Sequence, residues 1–559
     1  MNSQVLIVGA GPVGLTLAID LGMQGIRCLL VEKKEQAEFL PKMERCNART
    51  MEIYRRLGIA GKIRAAGLRG DVPMDVYVAT TMVEPPLLRL EYDCVDAAQA
   101  MIAASGDTTQ PAEAYQLISQ YTLEPLLKSI AETLPSLTVM YGAEFETFTQ
   151  DALGVSTILR RADGSTMTAH AEYLVGCDGG ASRVRKALGV SLRGEGNLLQ
   201  LRQALYRCDE LFDRLPMGDG PGHGRHYHIA DNQSSFLIMQ DSTRHWTLHA
   251  VVEDDAAMAA QFEKVIGTPV KYEMLYVGEW KQNLLLADRY AEGRVFLAGD
   301  AAHLVIPTGG LGMNTGVGDA IDISWKLAAT LNGWGGPKLL QSYEVERRQV
   351  GDRNIGASRY ASNGRRRWRS QWTPGFNDDT AYGQQLRANL AEVADIEQRK
   401  TNEMIGAELG YRYVDSPLIW DEPGGPEHLF RTYDPTAWTG VRLPHIWVQE
   451  NVSIHDLIGR TYAILRMGRN VASVDHIVNE FRRFGAPITV LDFPEDRYRE
   501  LYKCNYFLVR PDLHIAWRSN SLPAEAGKLA ALATGHAVDN MSRYHAAQYP
   551  TQPPKSLAS

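Results

Sequence analysis

VLIVGAGPVGLTLAIDLGMQGIRCLLVE, residues 5–32, decides the fold of this chain. Val5 to Val8 is a short, wholly apolar run, as a strand buried in a parallel sheet requires. It passes directly into Gly9-Ala10-Gly11-Pro12-Val13-Gly14, a helical stretch follows from Leu15 to Met23, and a second apolar strand, Cys28 to Val31, ends at Glu32. Gly9 permits a tight turn, Gly11 lets a pyrophosphate approach the backbone, and Gly14 allows helix and strand to pack closely. Free N–H groups at the helix start neutralise phosphate, while Glu32, with Lys33 beside it, accepts hydrogen bonds from a ribose hydroxyl. The acid also disfavours a 2′-phosphate at this site.

Two further strand-to-turn segments repeat the theme. Leu174 to Gly176 is apolar and runs into Asp178-Gly179, with Ser182 placed to cap a helix through Leu188 and Arg185 within it. Val295 to Ala298 runs into Gly299-Asp300; a glycine-rich turn spans Thr308 to Gly312, and a helix opens near Asn314. Asp300 suits a sugar-like hydroxyl, and the helix start suits a partly anionic, electron-rich ring.

The three segments, in this order and spacing, resemble the class A flavoprotein monooxygenases, the FAD-dependent aromatic hydroxylases, over essentially the whole chain. The resemblance implies FAD bound in an extended form, with Gly9 to Glu32 on its ADP half and Asp300 on the ribityl chain. Gly310, Gly312, Met313 and Asn314 would then lie by the flavin ring, with Pro307 shaping the pocket, Gln120 beside the ribityl chain, and Asp178 and Arg185 near FAD and the nicotinamide. It implies an α/β fold: a Rossmann-like FAD-binding domain (1–75, 101–185 and 285–400), an inserted antiparallel β-sheet domain for the substrate (76–100 and 186–284), and a C-terminal thioredoxin-like α/β domain (401–559). The last is carried by VRLPHIWVQ, SIHDLIGRTYAILRMG and YFLVRPDLHIAWRS after Gly440, which are similar to the phenol-hydroxylase-like branch. Cys504 is the only cysteine after residue 440, so two-cysteine exchange within that domain is impossible and its expected role is structural or oligomeric.

Composition agrees. With 559 residues the chain exceeds one compact core, and a net charge of −8 gives no basis for binding nucleic acid. No apolar run is long enough for a bilayer and no signal peptide is read, so no membrane partner is expected. Six scattered cysteines without metal-ligand or C-x-x-C spacing suit a reducing cytoplasm. A homodimer is one expected assembly. Residues 235–239 and 246–252 read as antiparallel strands with one wet face, Arg49 to Leu57 and Gln116 to Leu134 as helices, and the segment after Tyr549 as a polar tail that frays. The run Arg365-Arg366-Arg367-Trp368-Arg369 reads as a solvated helix face or a domain contact before an anion site.

The expected activity is hydroxylation of a phenolic small molecule: FAD is reduced by NADH or NADPH, captures O₂ as a flavin hydroperoxide, and delivers one oxygen to the ring. Alternatives are Baeyer–Villiger insertion or dehalogenation on the same scaffold, or a non-catalytic flavin-binding sensor; no W-x-W-x-I-P halogenase signature occurs. An ordinary phenol has a pKa near ~10, so a base or positive field must help remove its proton. Where relatives carry Pro-Arg-small and later Asn-x-Arg-Thr, this chain has Pro41-Lys42-Met43-Glu44-Arg45-Cys46-Asn47-Ala48-Arg49-Thr50. Lys42 keeps the charge near the flavin but loses the planar fork. Two roles stay open for Glu44 and Arg45: action on the substrate or flavin, or an acid–base pair bracing the loop. His226 and His228 share a strand face and are assigned to the substrate roof or the surface, with no metal. His303 and the Tyr343-x-x-Glu346-Arg347-Arg348 stretch are expected to be structural.

Overall fold

A computed structural model describes residues 1–215, 222–427 and 429–537. The tail expected after Tyr549 lies outside them. The nucleotide-binding half is a six-stranded sheet in which Val5–Val8 runs parallel to both Cys28–Glu32 and Tyr173–Gly176. Tyr173–Gly176 in turn pairs in parallel with Val295–Leu297, and Cys28–Glu32 with Leu137–Tyr141. The three apolar runs that end in glycine turns are therefore neighbours, and all three turns leave the carboxyl end of the sheet. Helices Pro12–Met23, Gln120–Ala131 and Gly312–Leu331 pack together on one face, and the three-stranded antiparallel sheet of Ala143–Gln150, Val155–Arg161 and Thr166–Ala171 covers the other, which is why every residue of Val5–Val8 is buried.

The second layer is a seven-stranded sheet built from Val76–Ala79, Leu88–Leu90, Gln200–Arg207, His226–Ile229, Phe236–Met239, His245–Ala250 and Glu273–Lys281. It departs from the expected antiparallel sheet in one place: His226–Ile229 pairs with Val76–Ala79 in parallel. Of residues 76–100 only two short strands join it, and Val95–Ala104 is a helix. The wet face expected for Phe236–Met239 and His245–Ala250 is absent. Leu237, Trp246 and Leu248 pack under Met258 and Phe262 of the Ala257–Ile266 helix, while the other face looks into the molecule. The 116–134 helix is shorter than its pattern. Gln116–Leu117 is a strand paired with Arg45–Cys46, and the helix proper is Gln120–Ala131, because Ser119 Oγ bonds Gln240 Oε1 of the sheet at 2.6 Å.

The C-terminal unit carries a four-stranded mixed sheet. Tyr462–Met467 pairs in parallel with Ile488–Phe493 and antiparallel with Tyr506–Val509, which pairs with Ile515–Ser519. Helices Asp475–Arg483 and Ala526–Ala533 cover one face, giving the thioredoxin-like order. Cys504 is buried and unpaired. Among the described residues no helix is long and apolar enough to cross a membrane.

Candidate active site

The glycine turn at residues 9–14 is shaped by contacts that no side chain could share. Gly9 has φ +107°, and a Cβ there would stand 2.4 Å from the Cys177 carbonyl oxygen; one at Gly14 would stand 2.0 Å from that of Gly9. Pro12 opens the helix, where its missing N–H is not needed, and Gly11 is the N-cap with no side-chain cap bond. The first-turn N–H groups are thus open to an anion. Glu32 is held at the mouth of the turn, accepting from the N–H of Ala10 at 2.9 Å and of Lys34 at 3.2 Å.

A cavity of about 1430 Å³ begins at this turn and runs beneath the seven-stranded sheet. Pockets for one drug-sized ligand span roughly 300–1,000 Å³, so this one has room for two partners end to end. Gly9, Gly11, Pro12, Val13, Glu32, Lys33, Lys42, Gln120, Asp178, Asp300, Pro307, Gly310, Gly312, Met313 and Asn314 all line it, as do Glu44 and Arg45. Three residues named from the sequence do not: Gly14, Gly299 and Arg185. Gly14 and Gly299 act through close packing. Arg185 is buried, donating to the carbonyls of Ala301 at 3.0 Å and Gly180 at 2.9 Å, so it ties two of the glycine turns together.

Other residues on the wall also do more positioning than the motif suggests. Asp178 accepts from Ser182 Oγ and the N–H groups of Arg183 and Val184, capping the helix that Ser182 begins. Asn314 spends its amide on the protein: Nδ2 donates to the carbonyls of Arg45 and Gly310, and Oδ1 accepts from the N–H of Asn47. It locks the 41–50 loop to the 308–312 turn. Asp300 faces the cavity, where burial raises its carboxyl pKa against the pull of His303 and Lys42. His303 and Arg347 both bond Asp319, each at 2.7 Å, and Asp319 also accepts from the Gly299 N–H. Gln120 bonds Glu124 at 2.5 Å.

The far end of the cavity is walled by the sheet. Of the two roles left open, a Glu44–Arg45 pair does not occur: Arg45 pairs with Glu408 at 2.6 Å, and Glu44 instead meets His226 Nε2 at 2.7 Å and Arg225 at 3.3 Å. Burial pushes the Glu44 carboxyl up, but His226 and Arg225 outweigh it and hold the pKa at about 2. Burial and Arg225 hold His226 at about 4, so at neutral pH the imidazole is neutral, and its Nε2 lies between the Arg225 Nε–H at 3.0 Å and the Glu44 carboxylate at 2.7 Å. His228 is off the cavity, bonded to Gln398 at 3.0 Å. Sequence reasoning missed His249, and the 365–369 run read as a solvated face or domain contact instead puts Arg365, Arg366 and Arg369 on the cavity wall with Trp368 buried. His249 and Arg365 both line the cavity beside Phe236: the His249 ring centre is 5.9 Å from that ring's, and the Arg365 guanidinium lies 4.7 Å from it. Strand alternation with His226–Ile229 could have flagged His249 only if the pairing register were known.

Two family profiles match the chain: one described as FAD binding domain over residues 2–358, and one described as aromatic-ring hydroxylase, C-terminal, over residues 436–536. The chain belongs to the FAD-dependent aromatic-ring hydroxylases. Among its relatives, the aklavinone 12-hydroxylase RdmE of Streptomyces purpurascens is 30% identical over 94% of this chain and 96% of its own. The structure of the rebeccamycin biosynthetic enzyme RebC with reduced flavin superposes with TM-score 0.87 at 31% identity, covering 96% of this chain and 99% of that one. The flavin-dependent monooxygenase PieE, in complex with FAD and substrate, gives 0.83 at 28% identity, covering 96% and 100%.

The residues present fit FAD. A Cβ at Gly11 would meet nothing nearer than Glu124 Oε1 at 3.8 Å, so the bare backbone there is open toward the cavity, beside a helix start without acids and a fixed Glu32. The hydroxylase uses FAD with NAD(P)H and O₂, and membership in this family of enzymes sets aside a non-catalytic sensor.

Proposed function

We propose that this hydroxylase adds oxygen to a large, multi-ring phenolic substrate, with FAD along the glycine turns and the substrate under the sheet. The cavity volume carries this reading: one flavin leaves room for several fused rings, and the remaining wall includes Phe236, Ile238, Leu201 and Trp280. Relatives named for aklavinone and for polyketides support the same substrate size.

When bound, the flavin supplies reduction by NADH or NADPH and activation of O₂. Gly11, the first-turn N–H groups, Glu32 and Asp300 would hold it, while Asn314 and Arg185 fix the loops that surround it. Glu44 is a poor base at a pKa of about 2 and serves to hold Arg225 and His226 in place. His249 is kept neutral, at about 4, by burial and by Arg365, and its buried Nδ1 has no hydrogen-bond partner among the described residues. It is the group we assign to the substrate hydroxyl. Six free cysteines support a cytoplasmic setting.

The test is to follow NADH and NADPH oxidation by the FAD-replete protein against phenols of one to four rings, with product mass and regiochemistry. Stimulation rising with ring number, with one oxygen added at a ring carbon, is expected. Preference for single-ring phenols overturns the size reading, and ring expansion would make the enzyme a Baeyer–Villiger oxygenase.

A further inference from the structure

Helix Pro337–Arg369 presents four arginines to the cavity: Arg359, Arg365, Arg366 and Arg369. Three are partnered. Arg359 pairs with Glu195, Arg366 bonds the Asn363 side chain, and Arg369 donates to the carbonyls of Ile229 at 3.0 Å and Ser235 at 2.8 Å. Across the cavity, Arg225 has Glu44. Arg365 has no hydrogen-bond acceptor or carboxylate partner among the described residues. Its Nε is sealed and unbonded, while its terminal nitrogens open toward the cavity it lines.

The charges around it do not balance it. Glu44, already engaged by Arg225, is the carboxylate that acts on it, and Arg369 opposes it. His226, His228 and His249 are all held neutral, each in part by Arg365 itself. Burial lowers the Arg365 pKa to about 9, so it stays a cation at neutral pH. A cation without a counter-charge in a partly desolvated, aromatic-walled cavity is costly unless a ligand brings one.

The geometry points to Arg365 as the anchor for a carboxylate carried by the aromatic substrate, a specificity that rests on the reading of this cavity end as the substrate site. Phe236, Trp280 and Ile238 make the wall beside it apolar, and Phe236, stacked on His228 at 4.3 Å, holds the guanidinium over its ring at 4.7 Å. A guanidinium edge matches the two oxygens of a carboxylate, whereas a phenolate offers it one. The flavin phosphates do not compete for this charge, because the open helix start at Gly11 serves them.

The test uses the FAD-replete enzyme at neutral pH, titrated without reductant with a naphthoate, the matching naphthamide and naphthol while the visible flavin band is followed. The naphthoate is expected to bind about 10- to 100-fold more tightly than the amide, as one charge-assisted contact provides. In Arg365→Gln that advantage should fall to within about threefold, and Arg365→Lys should keep part of it, retaining charge without the fork. FAD content and melting temperature of both variants check that they fold. No acid preference in the unmodified enzyme, a preference that survives Arg365→Gln, tighter binding of naphthol than of naphthoate, or no response to any of the three each overturns the assignment. Because the readout needs no turnover, a retained acid preference with no substrate-stimulated NAD(P)H oxidation would overturn the oxygenase reading alone.

Discussion

A Cβ at Gly14 would collide with the Gly9 carbonyl, whereas one at Gly11 meets no protein atom within 3.5 Å and projects into the nucleotide end of the cavity. The two glycines are therefore separable. Gly11→Ala should fold with a near-native apo melting temperature yet retain little FAD, and Gly14→Ala should lose thermal stability and FAD together; absorbance of the purified proteins and calorimetry check both. Glu44→Gln tests a different point. Because Glu44 is ionised throughout the working range, the variant should lower kcat/KM by about 10- to 100-fold through a loosened Arg225, the scale of one charged hydrogen bond, and leave the pH profile unchanged. Loss of an acidic limb in the profile would show Glu44 to be a proton acceptor after all. Gly9, Gly11 and Glu32 were legible in the sequence because their roles follow from local geometry within one βαβ unit. His249 was not, and Arg365 was seen but read as a solvated face or domain contact, since their place depends on strand register and on how a long helix lies over the sheet.

Elements show the same divide. The apolar runs before each glycine turn could be read directly, because a parallel strand covered on both faces is apolar throughout. The seven-stranded sheet misled for the complementary reason: Phe236–Met239 looks half-wet in sequence, but its second face borders a ligand cavity whose polar groups are His226, His249 and Gln240. Helix Gly312–Leu331 couples site and core. Asp319, fully buried on it, accepts from Arg347, His303 and the N–H of Gly299, so one carboxylate fixes the turn that presents Asp300. Asp319→Asn keeps the shape but leaves Arg347 without its counter-charge. It should cost about 3–5 kcal/mol in chemical denaturation, with a matching loss of FAD affinity. A cost under about 1 kcal/mol would mean that Tyr413, which bonds Arg347 at 3.1 Å, and the Thr315 carbonyl suffice alone.

At the scale of the whole molecule, the C-terminal unit is joined to the flavin-binding half by buried charge. Arg510, with no exposed surface, donates to Glu346 at 2.5 and 2.9 Å and to Asp512 at 2.6 Å, while Lys326 reaches the same Glu346 at 2.6 Å. Arg49 donates to the Asp512 carbonyl and Arg442 to Glu52, extending the seam toward the helix that follows the Glu44 loop. This bracing gives the cysteine-poor domain a structural role, and it makes the protein acid-sensitive as one unit. His226 and His249 under the sheet, and His445 and His514 in the C-terminal unit, are held at about 4 chiefly by burial, against an ordinary value of 6.5. Between those values the unfolded chain binds protons that the folded chain refuses, so stability rises with pH and is lost as pH falls from 6.5 toward 4. Each histidine contributes up to about 1.4 kcal/mol per pH unit. Glu44, held at about 2 from an ordinary 4.5, extends the loss below pH 4.5. Melting temperature at constant ionic strength and saturating FAD should be level above neutrality and fall with growing steepness below pH 6.5, with His249→Gln lessening the slope by one proton. A melting temperature unchanged between pH 6.5 and 4.5 would mean that these imidazoles are protonated in the folded protein, and Glu44 and Asp512 would then face imidazolium partners.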